Sequence, residues 1–540
     1  MTPTRILGIE GTAWAASAAL YDVGAEEIHI ETEAYTPESG GIHPREAAQH
    51  MAEQLPRVIE SVLDEARART DASVETDAPP VDAVAFSRGP GLGPCLRLVG
   101  TSARALSQRF DVPLVGVNHM VAHLEIGRHC SGFDSPVCLN ASGANAHVLG
   151  YRQGRYRVLG ETMDTGVGNA IDKFTRHIGW SHPGGPKVER AATEGEYIDL
   201  PYVVKGMDFS FSGILSAAKA AYDDGHAVED ICFSLQENIF AMLTEVSERA
   251  LSLTGADELV LGGGVGQNAR LQEMLESMCA QRGARFFVPE ARFLRDNAGM
   301  IAVLGAKMHE AGDTVPLEES HVDANFRPDD VPVTWRTEEH APNHEQQAND
   351  THRGAEATVT IDGDVVTKRR YPREYRHPAL DERLRRERTR QEARLTSEAR
   401  RVGVPTPVIR DVDVERATLS FQFVGDEDIR DNLTADRIRT VARHLARIHG
   451  AGFVHGDPTT RNVRVDTGTE RVFLIDFGLG YYSDHPEDHA MDLHVLFQSL
   501  SGTAENATEL IQLARESYGQ HGDAVVIDRL ADIEQRGRYV

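Results

Sequence analysis

Two histidines four residues apart mark the first place where this chain could do chemistry. They are His119 and His123, in Asn118–Glu125, NHMVAHLE. On a helix this spacing puts both imidazoles on one face, with Cβ atoms about 5–6 Å apart. That suits two nitrogen ligands on one metal ion, but a pair alone is not a site, and a third ligand, usually a carboxylate, is needed. Asp296, in RDNAGMIA, stands at a helix start and reads equally well as an N-cap. Nothing in the sequence joins it to the histidines.

A second constellation lies near the C-terminus. Val454–Asn462 reads VHGDPTTRN and Phe473–Gly480 reads FLIDFGLG. H-x-D with an Asn shortly after it, then D-F-G behind a hydrophobic run, is the layout of a protein-kinase catalytic site. Asp457 would accept the proton of the attacking oxygen. Asn462 and Asp476 would hold magnesium on the phosphates of ATP. Upstream, the strand-like Val365–Lys368 carries Lys368, and Glu392 is its natural ion-pair partner, with Glu387 the rival. Other kinase parts are missing. There is no G-x-G-x-x-G, only Arg353–Ala357, RGAEA, and no A-P-E follows D-F-G. The stretch from Asp476 to Asp492 is too short for a segment that docks a peptide.

Between these lie glycine loops. Asn140–His147, NASGANAH, is a strand end and a Ser-Gly turn. Thr165–Lys173, TGVGNAIDK, opens a helix with Asp172 near its start. His182–Glu189, HPGGPKVE, leads into another helix, and a glycine cluster precedes a helix from about Leu271. A glycine loop at a helix start can face a phosphate with its backbone N–H groups. Each loop alone is as readily a tight turn. Asp208–Gly213, DFSFSG, alternates like a strand lining a cleft.

The elements that must position these groups fall into two blocks. Residues 1–326 alternate strand, loop and helix, beginning with a hairpin across Gly11-Thr12. Residues 327–352 are polar, rich in proline and without period, which reads as a linker. Residues 353–540 read as a smaller α+β unit. Asp364–Arg401 carries 13 Lys and Arg, which is either a phosphate footprint or a solvated helix face laced with Arg–Glu pairs. The chain has 540 residues, hydrophobic content of 41% and a net charge of -27, with Lys nearly replaced by Arg. Acidic excess of this kind suits solubility in multimolar salt, where charge is screened, and points to an archaeal cytoplasm. Five scattered cysteines fit a reducing compartment. No apolar run is long enough to span a membrane.

Taken together, GIEGT (8–12), HPREAAQH (43–50), NHMVAHLE (118–125), GNAIDKF (168–174), HPGGPK (182–187), DFSFSG (208–213) and the 262–271 glycine segment carry a resemblance. So do GAEA (354–357), the run 366–395, HGDPTT (455–460) and DFG (476–478). The chain resembles the archaeal fusion of tRNA N6-adenosine threonylcarbamoyltransferase with the small atypical kinase of the KEOPS complex. The resemblance implies a two-lobed actin/Hsp70/sugar-kinase-like α/β domain followed by a protein-kinase-like domain. It implies Fe2+ or Zn2+ held by His119, His123 and Asp296, with Asn140 a further candidate. It implies transfer of the threonylcarbamoyl group from threonylcarbamoyl-AMP to N6 of the adenosine next to the anticodon. The adenylate would lie along Asn140, Ala141, Ser142, Gly143, Ala144, Asp172, Gly185, Glu189 and Asn268. ATP and Mg2+ would meet Gly354, Ala355, Glu356, Lys368, Glu392, Asn462 and Asp476. The implied partners are tRNA, a small dimerising subunit and a tRNA-binding subunit. Where the family has a Tyr that can reach the metal, this chain has Asn140, and Trp14-Ala15 replaces a polar pair. Two other readings stand beside this one: a protein kinase regulated by a sugar-kinase-like ATPase domain, and a scaffold without catalysis.

Overall fold

The computed structural model describes residues 4–35, 42–69, 78–152, 154–336, 351–354, 356–504 and 506–536. The chain divides into two compact units. The first holds residues up to Tyr202 and Ser210–Asn343, and the second Val203–Phe209 with His344–Arg538.

At the centre of the first unit lies Arg5–Glu10, whose Ile6, Leu7 and Ile9 are wholly buried. It pairs antiparallel with Ala15–Asp22 and parallel with Ala83–Gly89. Glu27–Ala34 and Leu114–Asn118 complete a five-stranded sheet. A strand buried on both faces reads as a continuous apolar run, as this one does. Helix Pro44–Ala68 covers one face through Met51, Leu55 and Val62, and Ala298–Glu310 covers the other. The second helix lies against the strand itself, because a Cβ at Gly8 would stand 2.4 Å from the Ala298 carbonyl oxygen.

A second sheet repeats the plan. Val137–Ala141 pairs antiparallel with Ala146–Arg152 and parallel with Glu258–Gly262, and Arg155–Glu161 and Arg285–Phe287 close the edges. In each sheet three antiparallel strands continue into two parallel ones, so the first unit has two lobes of one topology. Helix Val228–Thr254 is buried nearly throughout beside the second sheet.

Residues 328–336, assigned above to the linker, belong to this first unit. Val331 and Trp335 join its core, and Arg336 reaches Glu125 at 3.6 Å. Residues 337–350 lie outside the described residues. The segment 208–213 is not one strand: Asp208–Phe209 is a two-residue strand and a helix begins at Ser212.

The second unit opens with an antiparallel sheet in which Val365–Arg369 is the middle strand, flanked by Thr358–Asp362 and Thr418–Gln422. Helix Pro378–Arg401 follows, then a largely helical part around Ala435–Gly450 and Pro486–Thr503. Among the described residues no helix is long and apolar enough to cross a membrane.

Candidate functional site

Strand Leu114–Asn118 ends where helix His119–Ser131 begins. Asn118 caps that helix, its side chain accepting from the backbone N–H groups of Met120 at 3.0 Å and Val121 at 3.1 Å. The cap fixes the first turn, so His119 and His123 share one face as the spacing predicts, their rings 4.9 Å apart and edge to face. Asp296 completes the group. Its Oδ1 lies 3.2 Å from His123 Nε2 and 3.4 Å from His119 Nε2. The helix after it starts at Ala298 and is capped by Asn297, not by Asp296. The carboxylate is thereby left for the histidines.

Glu10 is the residue that sequence reasoning missed. Its Oε2 lies 3.1 Å from His119 Nδ1, while its Oε1 accepts from the Thr12 hydroxyl at 2.6 Å and the Thr12 N–H at 2.7 Å. An acid at the end of the apolar run Ile6–Ile9 was the available signal, and the structure buries it fully. Burial alone would depress His119, but Glu10 and Asp296 overcome it and push its pKa up to about 10. Burial depresses His123. Burial works to raise the Asp296 carboxyl, yet the two imidazoles hold it far below the usual carboxylate range.

One ligand atom from each of His119, His123 and Asp296 lies within 4.8 Å of the others. Two imidazole nitrogens, that of His119 once it gives up its proton as the ion binds, and one carboxylate oxygen make a donor set that fits zinc or iron(II), and Glu10 on the far ring nitrogen is the usual orienting partner. Asn140 sits on the neighbouring strand end. Its Nδ2 lies 3.4 Å from His147 Nε2, and its buried Oδ1 has no hydrogen-bond partner. Gly263, at φ +83°, admits that oxygen, since a Cβ there would stand 2.4 Å from it.

The glycine loops converge on one another. The backbone N–H of Asn169 donates to the Gly143 carbonyl at 2.9 Å, which ties Ser142–Ala144 to helix Val167–His177. Asp172 lies in the middle of that helix, not near its start. Its Oδ1 accepts from the Gly184 N–H at 2.7 Å and its Oδ2 lies 3.1 Å from His182, which fixes the loop before Gly185. Glu189 accepts from the Ala269 N–H at 2.9 Å. Asn268 caps helix Ala269–Arg282 and donates to Gln236 at 3.1 Å. Asn140–Ala144, Asp172, Gly185, Glu189 and Asn268 are therefore linked contact by contact.

In the second unit Lys368 Nζ lies 3.0 Å from both Glu392 oxygens and 2.7 Å from Asp476 Oδ1. Of the two candidate acids, Glu392 is the one paired with Lys368. Arg370, unremarked in the sequence, is a second cation on Glu392 at 2.5 Å. Asn462 Nδ2 donates to Asp457 Oδ2 at 2.9 Å. Asp476 holds φ 64°, and although burial works to raise its carboxyl, Lys368 and Arg370 keep it well below the usual range. Asp492 braces the H-x-D loop by accepting from the N–H groups of His455 at 2.6 Å and Gly456 at 2.8 Å. Gly354 and Glu356 lie at a hairpin tip, with Glu356 paired to Arg388 at 3.2 Å, and Ala355 lies outside the described residues. Along the basic helix Arg385 pairs with Asp381, Arg386 with Glu382 and Glu415, and Arg401 with Glu398. These side chains follow the ion-pair reading of the run. Arg390 and Arg394 are exposed.

Two lobes of one topology place the first unit among the α/β proteins built like actin, Hsp70 and the sugar kinases. Residues 25–303 match the family "TsaD: tRNA N6-adenosine threonylcarbamoyltransferase". The chain is 67% identical, over 99% of its length and 100% of the relative, to a Haloarcula marismortui protein named "Probable bifunctional tRNA threonylcarbamoyladenosine biosynthesis protein". A Halobacterium salinarum protein of the same name is 66% identical over 99% of this chain and 98% of its own. Among solved structures, full-length HypF aligns with 56% of each chain at 12% identity and a TM-score of 0.40. The chain belongs to the tRNA N6-adenosine threonylcarbamoyltransferase family.

Proposed function

We propose that the first unit transfers a threonylcarbamoyl group from threonylcarbamoyl-AMP to N6 of the tRNA adenosine next to the anticodon. The observation that carries this reading is the convergence of His119, His123 and Asp296 within a chain that matches the transferase family over more than half its length. In the reaction the N6–carbamoyl bond forms as the bond from the carbamoyl carbon to the phosphate oxygen breaks, AMP leaves, and N6 releases one proton to the leaving phosphate or to water. Bound at His119, His123 and Asp296, zinc or iron(II) supplies a Lewis acid for the carbamoyl carbonyl and the leaving phosphate. Glu10 holds the His119 ring with Nε2 toward Asp296. Gly143 and Ala144 offer backbone N–H groups to the donor's phosphate, the Ser142 N–H being taken by the Asn145 carbonyl at 2.8 Å, and Glu189 and Asp172 suit its ribose hydroxyls. The test is to incubate the chain with unmodified tRNA, threonylcarbamoyl-AMP and partner subunits, and to seek the modified nucleoside by mass spectrometry.

The second unit reads as a protein-kinase-like ATPase that switches a KEOPS-type assembly, with Lys368, Glu392, Asn462 and Asp476 on ATP and Mg2+ and Asp457 as proton acceptor. What favours ATP hydrolysis over phosphorylation of diverse proteins is the chain after D-F-G. Tyr481–Tyr482 pairs at once with Phe453–Val454, and helix Pro486–Thr503 begins four residues later. That leaves no platform for a peptide. Robust phosphorylation of unrelated peptides by the wild-type chain would overturn the ATPase reading.

A further inference from the structure

Access to the His119–His123–Asp296 centre is one-sided. The His123 side chain is 1% exposed, against 13% for His119 and 18% for Asp296. Solvent therefore reaches the centre along its His119 and Asp296 edge, and two residues of unassigned role lie beside that edge. Trp14 follows Thr12, which lies 3.5 Å from His119 Nδ1, by two positions. Arg295 immediately precedes Asp296. The Arg295 guanidinium lies over the Trp14 ring, 5.6 Å from its centroid. The Arg295 stem packs above Gly264 of the glycine cluster, 3.8 Å from where a Cβ would stand.

Both backbones are tied down while both side chains face outward. The Trp14 carbonyl accepts from the Tyr35 N–H at 2.6 Å, and the Arg295 carbonyl accepts from Asn297 Nδ2 at 2.7 Å. Trp14 is half-buried and Arg295 is exposed. Among the described residues no carboxylate pairs with Arg295, in a chain whose net charge is -27. An indole face with an unpaired guanidinium across it is a surface on which an unstacked RNA base settles.

We propose that Trp14 and Arg295 receive the acceptor nucleobase: the adenine of the tRNA loop stacks on this pair, which turns its N6 toward the His119–His123–Asp296 centre. The inference rests on the transferase reading and names the residues that position its second substrate. The donor's own adenine offers the same stacking chemistry. Trp14, which supplies the stacking face, leads into strand Ala15–Asp22 of the first lobe, whereas the residues assigned to the donor, from Asn140 to Asn268, all belong to the segment that builds the second. On that ground the acceptor is the occupant proposed, and because Arg295 also packs above Gly264 of the donor's segment, KM for the donor is the readout that separates the two.

The experiment uses the full chain with partner subunits, tRNA transcripts and threonylcarbamoyl-AMP. Trp14→Ala, and Trp14→Leu, which keeps apolar bulk without a ring, should raise KM for tRNA roughly 5- to 150-fold, the loss of one stacked base. Trp14→Phe should stay near wild type, and Arg295→Ala should raise the same KM more than Arg295→Lys does. KM for the donor and bound metal by elemental analysis should not move. A second arm reads the stacking without turnover. Wild type should bind an anticodon stem-loop with adenine at the acceptor position more tightly than one abasic there, and Trp14→Ala should bind the two alike. Unchanged KM for tRNA in Trp14→Ala overturns the inference. So does a defect that persists undiminished on the abasic RNA, or a rise confined to KM for the donor, which would assign the pair to the donor's base. A wild-type chain that leaves tRNA unmodified is a failure of the transferase reading, and it is seen before any variant is compared.

Discussion

Glu10 Oε2 lies 3.1 Å from His119 Nδ1, and this contact decides which nitrogen His119 turns toward Asp296. With Nδ1–H held by the carboxylate, Nε2 is the ligand atom. Glu10→Ala should lower metal affinity about 10- to 100-fold without removing any of the three ligands. Titration with a competing chelator measures it. Affinity equal to wild type would show that the Glu10 contact orients nothing.

His119→Ala combined with His123→Ala should abolish metal binding and tRNA modification together, because one carboxylate cannot hold the ion alone. Elemental analysis checks the first and nucleoside mass spectrometry the second. Full metal content in the double variant would remove the site from these residues.

Lys368 bridges Glu392 and Asp476, so it joins the strand, the helix and the D-F-G segment at one point. Lys368→Met and Asp476→Asn should each reduce ATP hydrolysis at least about 100-fold, since each removes a preorganised charge from the phosphates. Asn tolerates the left-handed backbone at this position, which keeps the second variant folded. A phosphate-release assay decides. Activity within a few-fold of wild type in both variants would displace the ATP site.

Glu125 is wholly buried and meets Lys307 at 2.8 Å, Arg128 at 3.2 Å and Arg336 at 3.6 Å, while the Tyr156 hydroxyl donates to it at 2.7 Å. Glu125→Gln removes the carboxylate that, among the described residues, all three cations share. The loss should be about 3–5 kcal/mol, the usual effect of stranding a buried partner. Thermal unfolding of the first unit is the measurement, and a midpoint unchanged within error would contradict it.

His444 is buried on helix Ala435–Gly450 with Nε2 3.2 Å from the Val472 carbonyl, and burial pulls its pKa down to about 4. The unfolded chain, with a pKa of about 6.5, binds the proton that the folded chain refuses. Its contribution is therefore whole above pH of about 6.5 and is lost as pH falls toward about 4, by up to about 3 kcal/mol. His444→Gln should flatten the stability of the second unit across that window by close to one proton. An unaltered slope would exclude the residue.

What the sequence made legible follows from how local each signal is. The pair His119 and His123 needs only the pitch of one helix, and the hairpin at Gly11-Thr12 only a turn. H-x-D, Asn462 and D-F-G lie within a few dozen residues of one another. Asp296 was ambiguous because its partners are far away in the chain, and only the sheet order brings it to them. Glu10 was missed because a charge at the end of a strand has no period to betray it, and Arg370 because it is one of three successive cations, Lys368 to Arg370, and stands just past the end of strand Val365–Arg369. Residues 328–336 were read as linker because proline and polar composition outweighed Val331 and Trp335, whose contacts are all tertiary. Asp172 was placed near a helix start because its glycines suggested one, whereas the helix had already begun at Val167.

The strand Arg5–Glu10 is made before Ala298–Glu310, the helix that closes one of its faces. Glu10 and Asp296 stand nearly three hundred positions apart. At roughly 5–20 residues per second, synthesis takes from about a quarter of a minute to a minute to connect them. For that interval the early sheet carries Ile6 and its neighbours without the helix that packs on them, and Asp296 is not yet there to meet His119 and His123. The first lobe can therefore not be sealed until Ala298–Glu310 has been made, and its nascent form is the one most in need of protection from aggregation.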